Sequence, residues 1–140
     1  MGLRIRLDLA SWPSYLALMS KRGATQMGWR GWHADFPDPL NFFEPLLTTA
    51  AIRDEGSQNA SFFSSPVLDE LCERARVTRD PDERLRILER AEALVSDEAP
   101  LVPVYTNRSF QIWHPYLRGY RPHPVVPLRV RDVWLTEAGP

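Results

Sequence analysis

An α/β chain, with a mixed sheet flanked by helices, is the fold class that the sequence predicts. Three observations carry it. Residues 3–9, LRIRLDL, alternate apolar and charged positions, the pattern of a strand with one apolar face. Three later stretches repeat apolar residues at helical spacing behind capping residues. A helix signal also stands between the first strand and a second strand signal, and a strand–helix–strand unit of that length predicts a parallel crossover.

Taken in order, Ser11 caps the first helix, Tyr15, Leu16 and Met19 share one of its faces, and Gly23 ends it. Residues 25–32 read as the second strand, weakened by Gly28 and Gly31. Asp38-Pro39 is a helix start, with Asp38 as cap and Pro39 in the first turn, and this short helix ends near Leu47. Residues 50–65 are polar and turn-rich. Pro66 opens a helix with Leu68, Leu71, Cys72 and Ala75 on one face, and residues 78–81 break it. Asp80-Pro81-Asp82-Glu83 starts the next helix in capping-box fashion. That helix runs to about Ser96, with Leu85, Leu88, Ala91, Leu94 and Val95 along one stripe. Beyond Pro100 prolines crowd the chain. Residues 101–105 read as a short buried strand despite Pro103, 110–113 as another candidate, 115–127 as an extended connection, and 128–135 as a last strand.

The bulk numbers exclude several classes. The 140 residues suggest one domain with a real core. A net charge of −1 argues against a general electrostatic grip on nucleic acid or on an anionic membrane. Lys21 is the one lysine, so the basic charge rests on 16 arginines, scattered as a surface set is. A single cysteine, Cys72, gives no internal disulfide and no CxxC metal signal, and it reads as a small core residue. No apolar run approaches the ~20 residues of a membrane span, and the N-terminal residues lack a signal-peptide pattern.

Chemistry-bearing residues concentrate in GWHADFPDPLNFF, residues 31–43. His33, Asp35 and Asp38 spell a weak HxDxxD metal pattern, but Asp38 is already accounted for by capping. For catalysis the chain offers His33, His114 and His123, with no GxSxG or HExxH motif around any of them. A binding site is better motivated. Asp35 follows Trp32 directly after a strand, where α/β folds present ligand loops. A carboxylate beside an indole can pair with an ammonium while the ring covers its alkyl part. Residue chemistry alone slightly favours the plainer reading, with Trp29 and Trp32 as core and Asp35 as a turn residue.

The order of the blocks adds what single motifs do not. GLRIRLDLASWPSYL, GWHADFPDPLNFF, NASFFSSPVLDELCERA, DPDERLRILERAEALVSDEAPLVPVY and HPYLRGYRPHP follow one another across most of the chain. In this order they resemble the C-terminal part of the family 5 extracellular solute-binding proteins, the dipeptide-, oligopeptide- and nickel-binding receptors of ABC importers. The resemblance implies a partial periplasmic-binding-protein-like (type II) lobe. Residues 1–117 would form the α/β region of that lobe, and 118–140 the hinge crossing with a C-terminal strand and tail. It implies a binding protein rather than an enzyme, without a cofactor, and held in the periplasm or otherwise outside the cytoplasm. Peptide or another small solute would be its ligand, and the membrane subunits of the importer its partners. By the same resemblance Asp35 pairs with the ligand's α-amino group and Trp32 lies at the ligand, with His33 and Ala34 in the same segment. His33 departs from the small or neutral residue expected there, which keeps nickel chelates and sugars open as ligands. The rival expectation is an α/β scaffold that binds nothing by itself and dimerises through surface otherwise meant for the other lobe.

Overall fold

The computed structural model describes all residues except 1, 3, 109, 124, 126–129 and 138–140. Helix α1, Trp12–Met19, starts where Ser11 Oγ accepts the Ser14 N–H at 3.4 Å. It ends at Ser20 rather than at Gly23, which instead takes a positive φ of 71° in the following turn. None of its residues is buried. Helix α2, Leu40–Leu47, is followed by a short 3₁₀ turn, Thr49–Ala51. Helices α3, Pro66–Val77, and α4, Pro81–Glu98, each begin with proline in the first turn. Ser65 Oγ accepts the Leu68 N–H at 3.4 Å, and Asp80 Oδ1 accepts the Glu83 N–H at 2.7 Å. Side-chain oxygens thus satisfy N–H groups that have no partner inside the helix.

The core lies where α2, α3 and α4 meet. Leu40 and Leu47 of α2, Leu68, Leu71, Cys72 and Ala75 of α3, and Ile87, Leu88 and Ala91 of α4 form one buried cluster. The α3 stripe is the one its periodicity predicts. The α4 stripe is corrected: Leu85 is 54% exposed and Ile87 is buried in its place, while Leu94 and Val95 pack at the edge of the cluster. The contact line follows the neighbouring helix, which turned the buried face about half a turn of helix away from Leu85.

The sheet is smaller than predicted. Among the described residues β1, Leu117–Arg118, pairs antiparallel with β2, Trp134–Leu135, in the register Leu117 to Leu135 and Arg118 to Trp134. Gly119, φ +71°, follows β1, and a Cβ there would meet the Asp132 carbonyl oxygen at 1.9 Å, so glycine is required. The strands expected at 3–9 and 25–32, and with them the parallel crossover, are not formed among the described residues. Residue 3 itself lies outside them. Ile5, Leu7 and Leu9 are exposed on that segment. The strands expected at 101–105 and 110–113 are also absent, residue 109 beside them lying outside the description, and Val102, Val104, Phe110 and Ile112 are exposed rather than buried. Of the connection at 115–127 residues 124, 126 and 127 fall outside the described set, and within it β1 interrupts the extended run. Of the last predicted strand residues 128 and 129 fall outside, and only Trp134–Leu135 is paired. Alternation marks a face that could be half-buried, but a strand also needs a ladder partner, and none stands beside these segments.

Candidate functional site

The loop between α1 and α2 carries the residues singled out above. Tyr15 of α1 donates its hydroxyl proton to the Trp29 carbonyl. Gly28 lets the chain lie against α1, since a Cβ there would meet Met19 Sδ at 2.0 Å. The loop is then pinned to the start of α2. Asp38 Oδ1 accepts the Leu40 N–H at 2.9 Å, so Asp38 does cap this helix, one residue ahead of the position where helical geometry begins. Both carboxylate oxygens of Asp38 also accept from Arg84 Nη2 of α4, at 2.9 and 2.8 Å. Arg84 Nε in turn donates to the Ala75 carbonyl at 2.8 Å. Burial alone would raise the Asp38 pKa. The Arg84 and Leu40 hydrogen bonds, with the guanidinium charge, outweigh it and hold the group below its ordinary value.

Trp32 and Asp35 both line a groove of about 600 Å³ between this loop and helices α2 and α3. Trp32 is half-buried and Asp35 is exposed. The Trp32 indole N–H is shared between the Asn41 carbonyl oxygen, 2.9 Å, and Asn41 Oδ1, 3.3 Å, and the Asp35 backbone N–H donates to the same Oδ1 at 2.8 Å. The Asp35 carboxylate has no hydrogen bond or ion pair among the described residues. His33 is exposed and Ala34 half-buried, and neither lines the groove. The segment therefore brings two of its four candidates, Trp32 and Asp35, to one cavity.

Glu44, Asp69, Glu73 and Arg76 also line the groove. Arg76 bridges Glu44, at 2.7 Å, and Glu73, at 2.7 Å. Asp69 Oδ1 accepts the Thr49 N–H at 2.9 Å. With Asp35 this makes four carboxylates against one guanidinium, a field that favours a cation. Cys72 borders the same groove, and burial first, then Glu44 and Asp69, push its thiol up to about 11. It is therefore a protonated core thiol and no nucleophile at neutral pH. Among the described residues no group of three potential metal ligands comes together, and Asp38 of the HxDxxD pattern is engaged by Arg84. His114 stacks on Tyr116 at 4.7 Å, and His123 Nδ1 accepts the Val125 N–H at 3.2 Å, both away from the groove. No described helix is long and apolar enough to cross a membrane. Glu44, Asp69, Glu73 and Arg76 were not legible as site residues, because only the packing of α2 on α3 gathers them.

The chain is similar to several proteins of known role. The di/tripeptide-binding protein 4 of Pseudomonas aeruginosa is 28% identical over 124 residues, 89% of this chain and 23% of that protein. The heme-binding protein A of Haemophilus influenzae is 31% identical over 123 residues, 88% of this chain and 22% of that protein. Among solved structures, the ABC transporter-associated periplasmic binding protein DppA of Helicobacter pylori, in complex with the peptide STSA, superposes with a TM-score of 0.77. It is 26% identical in sequence, and the match covers 96% of this chain and 26% of that one. The chain is homologous over most of its length to peptide-binding family 5 solute-binding proteins. Its fold is a partial periplasmic-binding-protein lobe of the α/β class. It spans about a quarter or less of the length of these relatives. No family model matches it.

Proposed function

We propose that the chain is the ligand-facing part of a solute receptor that serves an ABC importer outside the cytoplasm, with a peptide as ligand. Asp35 pairs with the ligand's α-ammonium, and the Trp32 ring covers the first residue. One observation supports this most: a carboxylate without a partner among the described residues lines, with an indole, a groove whose other charges are mainly negative. His33 and Ala34 flank this pair and shape the approach to it. Importer membrane subunits are the partners this role calls for.

Calorimetry with trialanine and N-acetyl-trialanine tests the reading. A pair left as exposed as Asp35 is here contributes about 0.2–1 kcal/mol. A pair covered by the bound ligand contributes about 2–5 kcal/mol against truncation. Asp35→Asn should therefore weaken trialanine binding at least about tenfold, the equivalent of ~1.4 kcal/mol. Acetylation of the peptide should weaken it equally, and the two changes together should add little. Equal affinity for both peptides would refute the ammonium role.

A second reading has its own support: the extended segments at 4–9 and 101–105 expose Ile5, Leu7, Leu9, Val102 and Val104. On it the chain is an α/β scaffold without ligand binding of its own, dimerising through this surface. Absence of peptide heat together with a dimer in light scattering would favour it.

A further inference from the structure

Asn41 is an unusual residue for its place. It is the second residue of α2, only 6% exposed, in a segment whose other buried positions are leucines. Asparagine is a poor helix former because its side chain competes for nearby backbone groups. Here it holds groups from a different segment. Two N–H donors, the Trp32 indole and the Asp35 backbone, converge on one side-chain atom of Asn41. Only an oxygen can accept both, so the orientation of the carboxamide follows from its partners. The Asn41 backbone is fixed in turn, since its N–H donates to the Asp38 carbonyl at 3.0 Å and its own carbonyl accepts the better-placed share of the Trp32 indole N–H.

We propose that Asn41 is the positioning residue of the groove. Its side-chain oxygen ties the Trp32 indole to the Asp35 backbone and so sets where the Asp35 side chain leaves the loop. Trp32 and Asp35 are three residues apart on a loop without regular structure, so nothing local fixes their mutual geometry. Both bonds run to one atom at the start of α2, and they hold the Trp32 ring and the Asp35 backbone to one another. The Asp38–Arg84 pair anchors that same turn to α4, so the unit is referred to the helical core. The role in ligand binding rests on the peptide-receptor reading above; the positioning of Trp32 and Asp35 does not.

The test uses three variants of the whole chain and two measurements. Asn41→Leu keeps the volume and removes the acceptor, Asn41→Gln displaces it by one methylene, and Asn41→Asp retains an acceptor oxygen. Amide and indole hydrogen exchange by ¹⁵N NMR reads the geometry directly. In Asn41→Leu and Asn41→Gln the Asp35 amide should exchange at least about tenfold faster, the Trp32 indole less so because it keeps the Asn41 backbone carbonyl, while amides of α3 and α4 keep their rates. Asn41→Asp should stay near the parent rates. Exchange of the Asp35 amide within twofold of the parent in Asn41→Gln and Asn41→Leu would overturn the proposal. So would an Asn41→Asp variant that behaves like Asn41→Leu. Should Asn41→Leu fail to fold, the Gln and Asp variants decide alone. Trialanine calorimetry is the second arm: Asn41→Leu or Asn41→Gln should lower affinity by about the same factor as Asp35→Asn. Undisturbed exchange refutes the positioning role, whereas disturbed exchange in a parent chain that gives no peptide heat refutes the receptor reading alone.

Discussion

Asn59→Ala is the perturbation whose cost can be worked furthest from the structure. Asn59 is fully buried in the turn between the 3₁₀ segment and α3. Its Nδ2 donates to the Thr48 carbonyl at 3.1 Å and to the Phe63 carbonyl at 2.8 Å, and its Oδ1 accepts from Ser61 Oγ at 2.9 Å. These three partners do not suffer equally. The Thr48 carbonyl keeps the Ala51 N–H at 3.2 Å, and the Ser61 side, being exposed, can turn to water. The half-buried Phe63 carbonyl loses its only donor among the described residues. One stranded carbonyl costs about 1–3 kcal/mol. The void left by the side chain adds to it, for a total of about 2–4 kcal/mol. Urea unfolding followed by circular dichroism at 222 nm should show a midpoint about 1–2 M lower with the slope unchanged. Asn59→Asp, which turns an acceptor towards two carbonyls, should be at least as unstable at pH 7. A cost below about 0.5 kcal/mol for Asn59→Ala would mean that water or a rearranged turn replaces the amide, and the reasoning would be wrong.

Two further outcomes follow from the charges and the thiol. Asp38 titrates below its unfolded value when folded, so its contribution is complete above the unfolded pKa and is lost as pH falls through the folded one. Arg84→Gln should cost about 1–3 kcal/mol at pH 7 and flatten the acid limb of a stability–pH curve measured by urea titration; an unchanged limb would exclude Asp38 as its source. Cys72, with its thiol raised to about 11 and 2% exposed, should react with a disulfide reagent far more slowly in native buffer than in the urea-unfolded chain, and equal rates in the two would contradict its burial.

The Asp38–Arg84 pair and the Asn41 contacts that hold the groove differ from the helices in how they could be read. Ser65, Pro66, Asp80 and Pro81 announce α3 and α4 because capping and helical periodicity are local: donor, acceptor and apolar stripe lie within a few residues of one another. Asp38 was legible as a cap for the same reason. Its pairing with Arg84, 46 residues away, was not. Asn41 gave only the faint signal of a poor helix former directly after Asp38, Pro39 and Leu40, and nothing in its spacing names Trp32 and Asp35 as partners. The strand readings at 3–9 and 25–32 failed on the other side of the same distinction. Alternation at Ile5, Leu7 and Leu9 specifies a face but not the chain that would pair with it.

By itself the sequence determined α2, α3 and α4, their starts, most of the residues they bury, and the crowding of Trp32 and Asp35 near a helix start. Its ordered motifs also carried the kinship with peptide-binding receptors. The tertiary structure alone decided that Ile87 replaces Leu85 in the core, that Arg84 holds Asp38, and that Glu44, Glu73 and Arg76 line one groove with Asp35. The physical reason is range. Capping and amphipathic periodicity are settled within one or two turns of chain, whereas ion pairs, strand ladders and cavities depend on which distant segments the packed helices bring together.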